Sequence, residues 1–287
     1  MLSRKSSVKL EVAKGSPPTE CPVETLPAKC LHGAENAPRF HPNDSAPDPA
    51  PHMIEIRNRY TGNLLLEVDA HTLMRANLRG VALGGAVLYQ MNLQGADLRD
   101  ADLANADLTE SDLAGALLEG ACLTGAYMPH ADMAKANLRG ADLCRANLES
   151  VNLSHADLTG ARLIHAKLFH ANLQSAHLAG AFLCPASLVG ADLRRAHLQG
   201  VDLRGANLTR ANLSQTNLFQ ANLEGAYLTG ANLAEAVLTS ANLFRADLCR
   251  ANLTRAVLFN ANLTGADVRE AILTGTVYDP MQQQPVR

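Results

Sequence analysis

The sequence predicts an all-β solenoid, and three observations carry that reading. An unbroken period of five runs from about residue 71 to 275. Small and large apolar residues stand two apart in each pentad, as in ANLRG (76–80), ADLTG (156–160) and ANLTG (261–265). The fifth place is often Gly, which suits a turn.

With Leu73 as the first central residue and Leu273 as the last, 41 pentads follow without insertion, and the centre is Leu in 38 of them. Met128, Met133 and Val268 are the exceptions, and Ala stands two places earlier in 34. A helix cannot use this pattern. Five residues at about 100° each rotate successive leucines by about 140°, scattering them around the axis. No apolar stripe forms. Gly closes sixteen pentads, and Asn or Asp recurs throughout; all are poor residues for a helix interior. In a short extended segment, alternate residues share a face, so Ala and Leu point inward together and the Asn or Asp between them points out. The last two residues turn the corner. Gly there adopts positive φ without steric cost, as a type II turn requires, and Asn and Asp oxygens can bond nearby backbone to steady the corner.

The tandem A-(D/N)-L-x-x motif resembles the pentapeptide-repeat family over about 205 of the 287 residues. That resemblance implies a right-handed quadrilateral β-helix with four pentads per coil. At that rate the array makes about ten coils, a rod about 50 Å long at a strand spacing of about 4.8 Å. One coil cannot hide its own core, so the array is expected to fold cooperatively. Leu and Ala fill the interior, which leaves function to the outside and the ends.

The flanks differ. Residues 1–52 are rich in Pro, Ser, Ala and charge and read as a disordered tail. Residues 53–72 read as an N-terminal β cap: Ile54, Ile56 and Tyr60 share a face, Thr61-Gly62-Asn63 turns, and Leu64–Val68 returns. The repeat domain is 73–275, and 276–287 forms a C-terminal cap or tail in which Tyr278, in phase with the leucines, plugs the last coil. These end segments also resemble those of the family.

Formal net charge is -3, too little to draw the chain to nucleic acid or an anionic membrane, so neither is an expected partner. The N-terminus lacks the apolar core of a signal peptide, and no run reaches the roughly 18 apolar residues of a membrane-spanning helix. A cytoplasmic location is expected. The six cysteines (Cys21, Cys30, Cys122, Cys144, Cys184, Cys249) form no C-x-x-C and read as free thiols in a reducing compartment. Cys21, Cys30 and His32 match no standard zinc spacing.

No catalytic constellation stands out. His155 and Asp157 are neighbours without an accompanying nucleophile, and the glycines are corner residues, not a phosphate loop. Residues twenty apart should stack, which brings His177 beside His197 but lines up no third metal ligand. The sequence therefore points to a non-enzyme with no cofactor and no metal.

Two readings of the outside remain. The quinolone-resistance branch of the resembled family has acidic rods that mimic DNA and bind topoisomerases. Here residues 71–275 carry 18 acidic and 16 basic side chains. Acid gathers early (Asp97, Asp100, Asp102, Asp107, Glu110, Asp112), and Arg194, Arg195, Arg204, Arg210, Arg245, Arg250 and Arg255 follow. A DNA mimic needs a sustained negative field, so a scaffold or protein-interaction module leads.

The strongest departure from the repeat is ARLIHAKLFHANLQSAHLAGAFLCPASLVG (161–190). Arg162, Lys167, His177, Phe182 and Ser187 replace the outward Asn or Asp. Stacking should place Ile164 on Cys184 and Phe169 on Val189, with His165 and His170 at the corners. These seven (Ile164, Phe169, Phe182, Cys184, Val189, His165, His170) form a candidate protein-contact patch. Drift on a tolerant exterior explains the same residues, and both readings stay open on sequence alone. The partner is an unknown protein, and a homodimer through an end or through the patch is compatible with the sequence.

Overall fold

A computed structural model describes residues 53–278. Each pentad contributes one short extended step and one turn. The third residue's N–H donates to the second residue's carbonyl one coil on (Leu78 to Asp97, 2.7 Å), and the second residue's N–H there returns the bond to Ala76 (2.9 Å). Parallel bridges run from Asn77↔Asp97 to Val257↔Val277, and every one joins residues twenty apart. Four pentads therefore close each coil, and the chain is a right-handed quadrilateral β-helix.

The turns have one design. The leucine carbonyl accepts from the N–H three residues on (Ala76 N to Leu73 O, 3.0 Å), and the fifth residue lies at positive φ, as at Arg75 (57°) and Gly80 (67°). This is the type II corner. Pro185 alone among the fifth residues from 75 to 275 is not left-handed, because its ring fixes φ near -65°. The corner adjusts there: His165 N–H bonds the Pro185 carbonyl (3.0 Å) rather than that of Cys184.

The expected roles of the outward Asn and Asp hold. Asn77 Oδ1 accepts from Arg79 N–H (3.3 Å) and Asp102 Oδ1 from Ala104 N–H (2.9 Å), bridging each leucine. Amides also form ladders between coils, as in Asn172 to Asn152 (3.1 Å) and Asn152 to Asp132 (2.9 Å). Inside, Leu and Ala make one continuous core. Ser111 and Thr216 replace inward alanines and remain buried because their hydroxyls donate to the Leu108 and Leu213 carbonyls (2.7 and 2.6 Å).

β1 (Met53–Arg57) and β2 (Leu64–Asp69) form an antiparallel hairpin with a bulge at Ile56/Arg57. It joins the rod where Arg59 N–H reaches the Gly85 carbonyl (2.8 Å) and Val87 N–H reaches the Arg57 carbonyl (2.9 Å). Ile56 is buried in the common core, but Tyr60 is 71% exposed and lies against Arg59. β1 ends at Arg57 and Tyr60 lies in the turn that follows, so Tyr60 does not share the face of Ile54 and Ile56. At the far end Leu263 and Leu273 are only half-buried, and Tyr278 packs against the core. The tail 1–52, with Cys21, Cys30 and His32, and residues 279–287 lie outside the described residues.

Candidate protein-contact face

The four faces are named by their central leucines: Leu73, Leu78, Leu83 and Leu88 begin the first to fourth. Of the seven patch residues in 161–190, Phe182 lies on the third face and the others at the corners that follow the third and fourth faces. Bridges Arg162↔Phe182 and Lys167↔Ser187 fix their register. Ile164 and Cys184 occupy the same corner one coil apart, as do Phe169 and Val189.

Their exposure divides the patch. Phe182 is 39% exposed, His165 and His170 are exposed, and Phe169 and Val189 are half-buried. Ile164 (3%) and Cys184 (0%) are buried. The structure thus brings the seven residues to one sector, but two of them do not offer surface.

The buried part extends beyond what the sequence singled out. Cys144 lies in the corner column of Ile164 and Cys184 and is 4% exposed. Burial, and then the neighbouring Asp142 carboxylate, pushes its thiol up to about 12. Asp142, at the outward position beside it, is 5% exposed; its Oδ1 accepts from Cys144 N–H (3.0 Å), and its Oδ2 has no hydrogen bond and lies 3.5 Å from Arg162 Nη1. Writing the sequence in rows of twenty would have aligned Cys144, Ile164 and Cys184; nothing in the row announces their burial. Cys144 and Cys249 are free thiols, whereas Cys122 and Cys184 are disulfide-bonded, which corrects the expectation of free thiols.

A second apolar strip went unread. On the second face Val237, Val257 and Val277 stack by bridges, with Phe219 and Phe259 at the adjacent corner. Val237 (36%), Val277 (51%), Phe219 (40%) and Phe259 (42%) are exposed.

The acidic collar is spread rather than aligned. Asp97, Asp102, Asp107 and Asp112 occupy four successive faces around the rod. Several acids are already paired: Asp97 with Arg99, Asp100 with Arg79 (3.3 Å) and Asp107 with Arg59 (3.8 Å). The pattern D-x-R recurs as a closed ion pair at Asp192–Arg194 (2.6 Å), Asp202–Arg204 (2.8 Å) and Asp267–Arg269 (2.6 Å). The arginine hydrogen bonds hold the Asp97, Asp192 and Asp267 carboxyls below their ordinary range.

His177 and His197 stack with ring centroids 4.6 Å apart. Among the described residues no three His, Cys, Asp or Glu side chains gather to hold a metal. Asp157, beside His155 in sequence, instead accepts from the Thr159 hydroxyl and from Arg139 (3.1 Å). Among the described residues no helix is long and apolar enough to cross a membrane.

The family model for pentapeptide repeats matches in eight copies over residues 73–109, 111–149, 146–183, 186–225, 216–254 and 236–275. Among solved structures, the chain is similar to HetL of the cyanobacterium Nostoc sp. strain PCC 7120, a pentapeptide-repeat protein involved in heterocyst differentiation regulation. Identity is 35%, over 67% of this chain and 91% of HetL, with a TM-score of 0.38. It is also similar to Rfr23 of the cyanobacterium Cyanothece 51142 (35% identity, 38% of this chain and 64% of that one, TM-score 0.20). QnrB1, a plasmid-mediated fluoroquinolone resistance protein, matches at 21% identity over 69% of this chain and 90% of that one, TM-score 0.32. The comparison with curated proteins returned no match.

Proposed function

Because this chain belongs to the pentapeptide-repeat family, whose members are generally non-enzymatic structural or interaction modules, we propose that it is a non-enzymatic scaffold that holds a protein partner on its outer faces. One observation carries the reading: the core is filled by Leu and Ala, while Phe182, 39% exposed, stands outward on the third face of a rigid frame, with half-buried Phe169 and Val189 at the corner that follows the fourth. Outward aromatics on a fixed frame lose little entropy on binding and tend to dominate contact energies. His165 and His170 rim the same sector. The reading includes a cytoplasmic location, and it allows self-association through an end or through this patch. Immobilised full-length chain is expected to retain a lysate protein that the Phe169→Ser/Phe182→Ser chain does not. Equal retention by both would remove this face from the account.

A DNA-mimicking topoisomerase ligand is the alternative. The collar's spread over four faces and its closed Asp–Arg pairs weigh against it, since a duplex mimic needs unpaired charge in lines along the rod. The protein is expected neither to inhibit gyrase supercoiling nor to protect gyrase from a quinolone at micromolar concentration. Inhibition that weakens as salt rises would reverse the order of the two readings.

A further inference from the structure

The second face changes character along the rod. Near its start the outward column carries Asp97 and Asp157, and the corner that follows carries Arg99, Glu119 and Arg139. Further on, neither the outward column from Asn217 to Val277 nor the corner column from Phe219 to Asn260 carries a charged side chain. Val237, Val257 and Val277 stack there by bridges, and Phe219 and Phe259 stand 40 and 42% exposed beside them.

The valines do nothing for the rod itself. At the same position Asn217 Oδ1 accepts from Phe219 N–H (3.1 Å), and Asn137 Oδ1 from Arg139 N–H (3.2 Å). A valine side chain has no acceptor, so three successive coils forgo a turn bond worth about 1 kcal/mol each. They also turn apolar surface to water. A contact on this face offsets both losses.

The edge of the strip indicates what makes that contact. Glu235 and Arg255 hold successive fifth places at the corner leading into the second face, and both are exposed. Within the chain they meet only loosely, with Arg255 Nη1 4.0 Å from Glu235 Oε1. We propose that the strip docks on the same strip of a second copy of this chain. The two rods run antiparallel about a two-fold axis that lies in the contact plane and crosses it between Val237 and Val257.

Such an axis keeps each edge against its own kind and reverses the order along the rod. Glu235 then faces Arg255 of the partner subunit, and Arg255 faces Glu235 of the partner subunit. Val237 and Val257 pair in the same reciprocal way. An axis running along the rods would instead set Glu235 against the uncharged corner of Thr239 and Ser240, with no cation across the contact. A second copy also shares the spacing of the strip. Every bridge steps twenty residues, so valines on both rods recur at about 4.8 Å and stay in register. Flat sheet faces pack in this way at about 10 Å. From Asn217 to Val277 the strip runs about 14 Å. That is small beside the roughly 800 Å² per partner of a standard interface, so the dimer is expected to be reversible.

The test is sedimentation equilibrium of the full-length chain from about 1 to 300 µM, which should show monomer and dimer in exchange. Val237→Asn/Val257→Asn installs the residue that Asn217 and Asn137 hold in the same column. Its melting temperature should stay at the wild-type value while the dissociation constant rises about tenfold or more. Glu235→Arg and Arg255→Glu lie in the corner column where Lys135 and Arg195 already sit. Each alone should weaken the dimer about tenfold, and the two together should restore it. Phe169→Ser/Phe182→Ser should associate as the wild type does, because that patch lies elsewhere on the rod. A monomer at every concentration, a dimer indifferent to the asparagine or charge substitutions, or one lost with Phe169→Ser/Phe182→Ser would overturn this contact.

Discussion

Leu173 and Asn172 are adjacent in sequence and belong to different parts of the molecule. Leu173 is fully buried in a column that reads almost only leucine from end to end, while Asn172 joins an external amide ladder to Asn152. The inside of the rod is uniform; the outside changes residue by residue. The difference teaches that the first and third pentad positions carry the fold, while the second, fourth and fifth can vary without moving the backbone. The fifth position makes the point plainly: Arg, His, Ser, Glu and Gly all sit there at positive φ, because the coils above and below hold the turn.

The sharpest way to break this contrast is to charge the inside. Leu173→Asp places an unpaired carboxylate among leucines and is expected to prevent folding, seen as loss of soluble protein or of the β-type far-UV circular dichroism. A folded Leu173→Asp protein would mean that coils are less interdependent than the continuous core implies.

Next in size is the end of the rod. Removing residues 53–72 uncovers Leu73, Leu78 and Leu83 and frees the Gly85 carbonyl and Val87 N–H that the hairpin engages. Open strand edges recruit other chains, so the truncated protein is expected to associate or precipitate in light scattering. A monodisperse product would show that the hairpin does not protect the first coil.

On the outside the effects shrink. Asn172→Ala loses one ladder bond and one turn bond and is expected to cost about 1–2 kcal/mol at about 1 kcal/mol each, read by chemical denaturation. A cost as large as that of a core deletion would erase the distinction between the two sides.

Acid should have the smallest effect. The Asp97, Asp192, Asp267 and Glu270 carboxyls titrate below their ordinary range, chiefly because of hydrogen bonds from Arg99, Arg194, Arg269 and Arg250. Their folded pKa values lie below the unfolded ones, so their contribution is complete above about pH 4 and is lost as pH falls through the lowered values. Melting temperature is expected to be flat from pH 7 to about 5 and to decline below about 4. These groups lie near the surface, so a shallow decline is expected, and a fall between pH 7 and 5 would point to other groups.

The same inside–outside division explains what the sequence made legible. Period five alone places Leu173 inside and Asn172 outside, and it stacks Ile164 on Cys184, because both follow from alternation and a coil of twenty residues. It does not tell whether a corner residue is covered. Ile164 and Phe169 hold the same place in successive pentads, yet Ile164 is 3% exposed and Phe169 half-buried. Burial at a corner depends on neighbours in three dimensions, which no local pattern encodes. Tyr60 does not continue the face of Ile54 and Ile56 because the strand ends at Arg57 and the turn begins before Tyr60. The closed pairs such as Asp202–Arg204 were open to reading, since residues two apart on one corner can meet, but charge totals hide them.

The most direct test of the account compares melting temperatures of Leu173→Ala and Phe169→Ser/Phe182→Ser, with partner retention measured on the same samples. Leu173→Ala is expected to lose about 2–5 kcal/mol of stability. Phe169→Ser/Phe182→Ser is expected to melt close to the wild type and to lose its partner. If the outer double substitution destabilises the rod as much as Leu173→Ala, or melts normally and still retains the same partner, the claim that this outer face carries function and the core carries the fold is contradicted.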